Sequence, residues 1–536
     1  MNLVNKHNFL FSKNFFSNTV VVLGIICFVG FILRIIWINH DIPLMLDSTG
    51  YFWYAIDTSI QGNFPDSDCG WKCSFPNTGW PSFLSIFFRI IDSNNYLDYM
   101  NFQRYLSVFF SVFTAIPIFY LSKFFVRKEI AFLSTSIFLF NPRIIENSIL
   151  GITEPIYIFI FTLMLFTLIK YSKFPFISFS MLGIISMIRY EGILLILPLT
   201  LIYFYKSKLS KNSIINYLPC IFILLVILIP WGIMKTELTG TDGIISHVYS
   251  GPKYYSDTIS ESNDKNEAIF SFVNTGLNYT LRFLGIATFP VLIFLTPMGF
   301  ILLIKKRKFT SFPIFIPLII TLMLPIFYAY SRGFLETRYL LILFPIFSII
   351  SSMAIEEIFK GKKIKNLLIL IIGIIILSSI IFLEFNQKNE ISEKFEFAKI
   401  VNSKMKVVNT FSGGGFLQET RLELVNDFPI LRKDLPEGTK VLYLHRCNPN
   451  LIIENCDEKY YNLEDFIARN KMIGLTHIVI DEGFLYNPFF KDDFENSEKY
   501  PYLVKIYDTK DEGFDYYDAK IFWIDFQKLE QFEKNR

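Results

Sequence analysis

Long, nearly uninterrupted runs of apolar side chains, joined by short connections, constrain this chain more than any other feature. Val20–Ile38 is the first, and its one charge is Arg34. About 20 apolar residues in a helix cross a hydrocarbon core about 30 Å thick. Inside lipid the backbone must satisfy its own hydrogen bonds, so such runs are helical. We read about eleven of them, at 19–38, 103–124, 129–146, 153–171, 174–189, 191–206, 214–235, 281–304, 312–330, 338–357 and 366–385. The 536 residues are 52% apolar and 18% aromatic, with 60 Phe, far from soluble usage. The expected fold class is a polytopic α-helical membrane protein, with the lipid bilayer as its first partner. Lys6 and Lys13 precede the first run and no small-x-small cleavage site follows it. It reads as a retained helix and not as a signal peptide.

Orientation follows from Lys and Arg in the short loops. Arg127-Lys128, Lys170 to Lys173, Lys206 to Lys211, Lys305 to Lys308 and Lys360 to Lys365 alternate with loops at 39–102, 147–152, near Arg189, 236–280 and 331–337. The first set is basic throughout, so it is expected inside. The N-terminus is then cytoplasmic, and residues 386–536 are extracytoplasmic, in a multi-pass protein of the cell membrane. A net charge of +3 gives no reason to expect a nucleic-acid partner. Cys27 and Cys220 fall within apolar runs, whereas Cys69 with Cys73 and Cys447 with Cys456 form two close pairs in the outer segments. An oxidising compartment would close each pair as a disulfide; no His spacing completes a zinc site.

Residues 386–536 are charged and alternate β-rich and helical runs. Val441–His445, His477–Asp481, Leu503–Tyr507 and Lys520–Phe526 read as strands, and Glu390–Val408 and Leu463–Met472 as helices. A small soluble α/β domain is expected. Gly413-Gly414-Gly415 lacks the flanking strand and helix of a phosphate-binding fingerprint, and no Walker, GxSxG or HExxH sequence occurs.

The candidate chemistry gathers at helix ends. Asp47 and Tyr51 lie in the first outer loop, within DIPLMLDSTGYFWYAIDTSIQGNFPDSDCGWKCSFPNTGWP (41–81). A carboxylate just past a membrane helix sits at headgroup level, where it can meet both a lipid phosphate and a water-soluble acceptor, and a hydroxyl needs a positioned base to attack. Glu154 opens a helix in the phrase Gly151-Ile-Thr-Glu-Pro155; capping by Thr153 and a site role are both open. Arg104, Arg143, Arg189 and Arg338 fall at outer helix ends, with Glu191 and Glu336 beside two of them. A lone arginine there is a snorkelling anchor, but four on one face suit a phosphate. The loop Thr236 to Thr280, with His247, Tyr249, Tyr254 and Tyr255, reads as a lid or a plain surface loop.

In this order the phrases resemble those of the GT-C superfamily of polyprenyl-phosphate-sugar-dependent glycosyltransferases, near the protein mannosyltransferase and lipid A aminoarabinose transferase group. The resemblance covers roughly 20–360. Asp47-Ser-Thr-Gly-Tyr51 is similar to the first-loop Asp-Glu motif, with Ser48 in place of the second acidic residue. Gly79-Trp-Pro81, Arg104, Asn141-Pro142, Thr153-Glu154-Pro155, Arg189-Tyr-Glu191-Gly192 and Glu336-Thr-Arg338-Tyr-Leu340 resemble later landmarks. The resemblance implies a catalytic transmembrane domain over 1–385. There Asp47 takes the proton of an acceptor hydroxyl in an inverting transfer from a polyprenyl-phosphate sugar, and arginines meet the departing phosphate. The acceptor is a protein, lipid or glycan. The sequence identifies no cofactor for certain, and a divalent metal is admitted without a ligand cluster that demands it.

The rival reading is a secondary transporter or lipid flippase, whose charges gather near the bilayer midplane on broken helices. Here the helix centres are nearly charge-free. A non-catalytic scaffold presenting the tail is a third reading.

Overall fold

The computed structural model describes residues 18–45, 47–62, 77–91, 93, 95–261, 265–305, 312–359, 365–385, 389–404, 463–471, 475–481 and 495–534. The cysteine pairs Cys69–Cys73 and Cys447–Cys456, the triple glycine 413–415 and the expected strand Val441–His445 lie outside the described residues.

The chain divides into two compact units: Met1–Ile38, Asp47–Asp92 and Met100–Asn386 form the first; Asn39–Leu46, Ser93–Tyr99 and Gln387–Arg536 form the second. The helices of the first unit, in chain order, are α1 (Thr19–Ile36), α2 (Asp47–Gln61), α3 (Gly79–Phe88), α4 (Tyr96–Phe113, whose first four residues belong to the second unit), α5 (Ala115–Ser122), α6 (Lys128–Leu139), α7 (Pro142–Ser148), α8 (Glu154–Lys170), α9 (Phe176–Ile188), α10 (Ile196–Ser207), α11 (Lys211–Thr239), α12 (Ile245–Glu261), α13 (Lys265–Thr288), α14 (Leu292–Lys305), α15 (Phe312–Ser331), α16 (Phe344–Ile358) and α17 (Lys365–Phe385). Two 3-10 turns, Tyr190–Leu195 and Thr337–Leu343, lead into α10 and α16.

Every apolar run found in the sequence is helical, but the spans are less uniform than eleven equal helices. Among the described residues, six helical stretches are long and apolar enough to cross a bilayer by themselves: Thr19–Ile36, Tyr96–Ser122, Lys211–Leu238, Pro313–Ser331, Thr337–Ile358 and Asn366–Phe385. A seventh arises if α13 and α14, bent by 110°, count as one. The run 129–146 is broken at Asn141-Pro142. Proline cannot continue the hydrogen-bond ladder, and the Asn141 side chain caps the new helix by accepting from the Arg143 amide (3.0 Å). The runs at 174–189 and 191–206 yield helices of 13 and 12 residues, separated by the extended Arg189 and a 3-10 turn. The connections 39–102 and 236–280, expected as loops, hold the helices α2, α3 and α12.

Small and polar groups tie the helices together, as expected where lipid supplies no hydrophobic driving force. Arg34 of α1 is fully buried and donates to Gly30 O (2.8 Å), Leu139 O (3.0 Å) and Ser111 Oγ (3.1 Å), which joins α1, α4 and α6. Thr167 pairs with Ser178, and Thr296 with Ser351.

The second unit holds α18 (Asn389–Lys404), α19 (Leu463–Lys471), β1 (His477–Asp481), β2 (Leu503–Asp508), β3 (Ala519–Ile524) and α20 (Phe526–Lys534). The sheet is antiparallel in the order β1-β3-β2, with Val479 opposite Ile521 and Leu503 opposite Ile524. Alternation sorts its side chains. Ile478, Ile480, Phe522 and Ile524 pack with Leu463, Ile467 and Leu529 of α19 and α20. Val479, Tyr507 and Ile521 pack with Phe397 of α18. Glu393 pins α18 by accepting from three successive amides, Asp515 (3.1 Å), Tyr516 (2.7 Å) and Tyr517 (2.7 Å).

Candidate functional site

Four sequence segments that are far apart meet around two guanidinium groups. Arg338, in the turn before α16, donates through Nη2 to Asp47 Oδ2 at 2.6 Å, across 291 residues of chain. Nη2 also reaches Glu336 Oε1 (3.2 Å); Nε pairs with Glu336 and lies 4.0 Å from Glu154 Oε1. Arg189 donates to the same Glu154 Oε1 (2.7 Å), to Glu191 Oε1 (2.6 Å) and to Thr153 Oγ1 (3.4 Å). Glu154 is therefore the shared carboxylate of both arginines. It is 6% exposed, whereas Asp47 is 47% exposed. The buried carboxylate lies at the centre of the cluster, and Asp47 and Glu336 are its half-exposed carboxylates.

Local sequence explains the positions. Asp47 and Glu154 each occupy the first turn of a helix, α2 and α8, where the dipole favours an anion. Pro155 suits the start of α8, which leaves Glu154 at its tip. Thr153 does not cap α8: its hydroxyl goes to Glu154 Oε2 (3.3 Å) instead. Arg189 ends α9 in extended backbone. Its corner is held by Asn77, whose Oδ1 accepts from the Tyr190 amide (3.3 Å). Gly79 packs so closely on that corner that a Cβ would lie 2.7 Å from the Met187 carbonyl. Tyr330 donates to Glu336 O (2.8 Å), which anchors the strand-like approach to Arg338.

The electrostatics match this enclosure. Burial pushes the Tyr51 phenol up to about 12; Arg189 draws it down, Glu154 and Asp47 add to the rise, and Asn77 hydrogen-bonds it. Burial also raises the Glu336 carboxyl, against the pull of Arg338. His247 of α12 lies beside the site, its ring 5.6 Å from that of Tyr190, and burial lowers its pKa, with Lys235 adding to the effect.

Of the candidates read from the sequence, Asp47, Tyr51, Glu154, Arg189, Glu191, Glu336 and Arg338 come together. Arg104 and Arg143 point to other duties. α4 begins at Tyr96, so Arg104 lies in its third turn and donates to Asn101 Oδ1 (2.7 Å). Arg143 pairs with Glu146 (3.0 Å) and stacks 4.6 Å over Phe382. Asn77 was not singled out in the sequence; its only signal was its place just before Gly79-Trp80-Pro81. Two guanidinium groups lie between the four carboxylates, and among the described residues no three His, Cys, Asp or Glu side chains are grouped as metal ligands. The residues as placed do not form a metal site.

No protein-family model and no curated protein matches this chain. Solved structures do. The archaeal oligosaccharyltransferase AglB from Archaeoglobus fulgidus, in complex with an inhibitory peptide and a dolichol-phosphate, aligns with a TM-score of 0.51 at 12% identity, over 92% of this chain and 73% of that one. Its apo form aligns at 0.51 and 12%, over 88% and 70%. A complex with Zn and sulfate aligns at 0.49 and 14%, over 79% and 59%. The chain thus spans 59% to 73% of the length of these neighbours. This chain shares the fold of these oligosaccharyltransferase structures, a GT-C-like fold.

Proposed function

We propose that this protein is an inverting membrane glycosyltransferase that moves a sugar from a polyprenyl-phosphate donor to an acceptor hydroxyl at the non-cytoplasmic face. The observation that carries this reading is the 2.6 Å contact between Asp47 and Arg338. It sets a half-exposed carboxylate at the start of α2 against a cation able to bind phosphate in two-pronged fashion. The acceptor hydroxyl gives its proton to Asp47 as its oxygen attacks the anomeric carbon. The bond from that carbon to the phosphate oxygen breaks on the opposite side. Polyprenyl phosphate leaves as a stable anion and needs no general acid, and arginine charge stabilises it as it departs. One base on the attacking side is all that inversion requires.

The same contact sets an order of events. A donor phosphate that engages Arg338 competes with Asp47 for Nη2, so donor binding releases the base. AglB structures hold a dolichol-phosphate and an acceptor peptide, and a lipid phosphate and a hydroxyl-bearing acceptor are the corresponding ligands here.

The test is incubation of the purified protein with a panel of lipid-phosphate sugars and acceptors, reading release of the lipid phosphate and inversion at the anomeric carbon. Asp47→Asn should lower transfer at least about 100-fold, the scale of a lost general base. Near-normal turnover in that variant would remove Asp47 as the base.

A further inference from the structure

Ser48 follows Asp47 where the related motif carries a second acidic residue, and it is 3% exposed. Its hydroxyl donates to Leu150 O at 2.6 Å, and its own carbonyl accepts from Gln103 Nε2 at 3.1 Å. The same Gln103 nitrogen donates to Gly151 O at 2.7 Å, and Trp80 Nε1 reaches that oxygen at 3.2 Å. Gln103 and Trp80 are fully buried. Gly151 has φ +72°, a backbone conformation glycine adopts without strain, and this is the turn whose carbonyls the three side chains hold. So α2, α3 and α4 all fasten to one turn, and Glu154 is three residues beyond it.

We infer that Gln103, with Ser48, is a positioning residue for the proposed transfer: its carboxamide staples the start of α2 to the turn before α8 and thereby sets the spacing of Asp47 and Glu154 that Arg338 bridges. The inference rests on the glycosyltransferase reading above. Both Gln103 hydrogen bonds use the nitrogen, and Oε1 is buried without a partner. A carboxylate there would set oxygen against two carbonyl oxygens, so Gln103→Glu keeps the shape and reverses the interaction. Neither residue touches the reacting atoms. Their effect is on geometry, to which a base within hydrogen-bond reach of its proton is sensitive.

The test uses the full-length protein in lipid nanodiscs with Gln103→Leu, Gln103→Glu, Ser48→Ala and Ser48→Thr. In both Gln103 variants kcat should fall at least about tenfold while KM for the lipid-phosphate donor changes less than about twofold. Ser48→Ala should lower kcat severalfold, and Ser48→Thr, which keeps the hydroxyl, should restore it. Hydrogen exchange over 148–156 should quicken in Gln103→Leu and Ser48→Ala while α15 and α16 exchange as in the wild type. Unchanged exchange over 148–156, or a loss of donor affinity with kcat preserved, overturns the inference. The exchange measurement needs no turnover, so a wild-type protein that transfers no sugar defeats the functional reading while the staple is still decided. If Gln103→Leu does not fold, the Ser48 pair decides it.

Discussion

At the scale of single residues, burial separates Glu154 from Asp47, the base proposed here. Glu154 is 6% exposed and serves both Arg189 and Arg338. Removing it leaves two buried guanidinium groups short of a partner, so Glu154→Ala should cost about 3 kcal/mol in unfolding measurements. Asp47 is 47% exposed, and its pair with Arg338 is screened by solvent. Asp47→Asn should therefore change stability by no more than about 1 kcal/mol while lowering transfer at least about 100-fold. Equal destabilisation by the two variants would show that Asp47 is a structural ion-pair partner like Glu154. Arg338 neutralises carboxylates from three segments, so Arg338→Ala should lose both donor affinity and stability. Arg143→Ala, which touches Glu146 and Phe382, should leave donor affinity unchanged in a binding assay.

At the scale of elements, the site depends on where helices stop. α1 ends before Asp47, α8 begins at Glu154, α9 ends at Arg189, and a 3-10 turn carries Arg338. Two glycines hold these ends in place. Gly79 lets α3 rest on the backbone at Met187, and Gly151 occupies a positive φ. Gly79→Ala must push the Arg189 corner away and should lower kcat together with the melting temperature. Gly151→Ala should cost about 1–2 kcal/mol from backbone strain. Retention of wild-type stability by both variants would mean that the turns relax freely and do not position the charges.

At the scale of the whole molecule, the cluster takes Glu154 from the start of α8 and Arg189 from the end of α9, and the other ends of these two helices are joined through Lys170 and Lys173. Under the inside-positive rule the proposed site is expected on the non-cytoplasmic side. In a background with the native cysteines replaced, Leu335→Cys should react with an impermeant maleimide from outside and Phe174→Cys only after permeabilisation. Both side chains are exposed. The opposite pattern would place the site on the cytoplasmic face and end the lipid-carrier reading proposed here. The sequence by itself determined that the apolar runs are helical, the strands at 477–481, 503–507 and near 520, and which residue types could do the chemistry; it did not show the helices α2, α3 and α12 inside the connections 39–102 and 236–280. Apolar runs, β alternation and the punctuation by proline and glycine are local signals, and each segment carries its own. It could not determine which arginines reach Asp47. Arg104, Arg143, Arg189 and Arg338 look alike in the sequence, and each stands near a helix end. A side chain's direction on a helix turns by about 100° per residue. The start of α4 at Tyr96, the break at Asn141-Pro142 and the docking of α3 on the Arg189 corner therefore decided that Arg189 and Arg338 face the carboxylates while Arg104 and Arg143 face other partners. Those choices are made by packing between segments up to 291 residues apart, which no local pattern encodes.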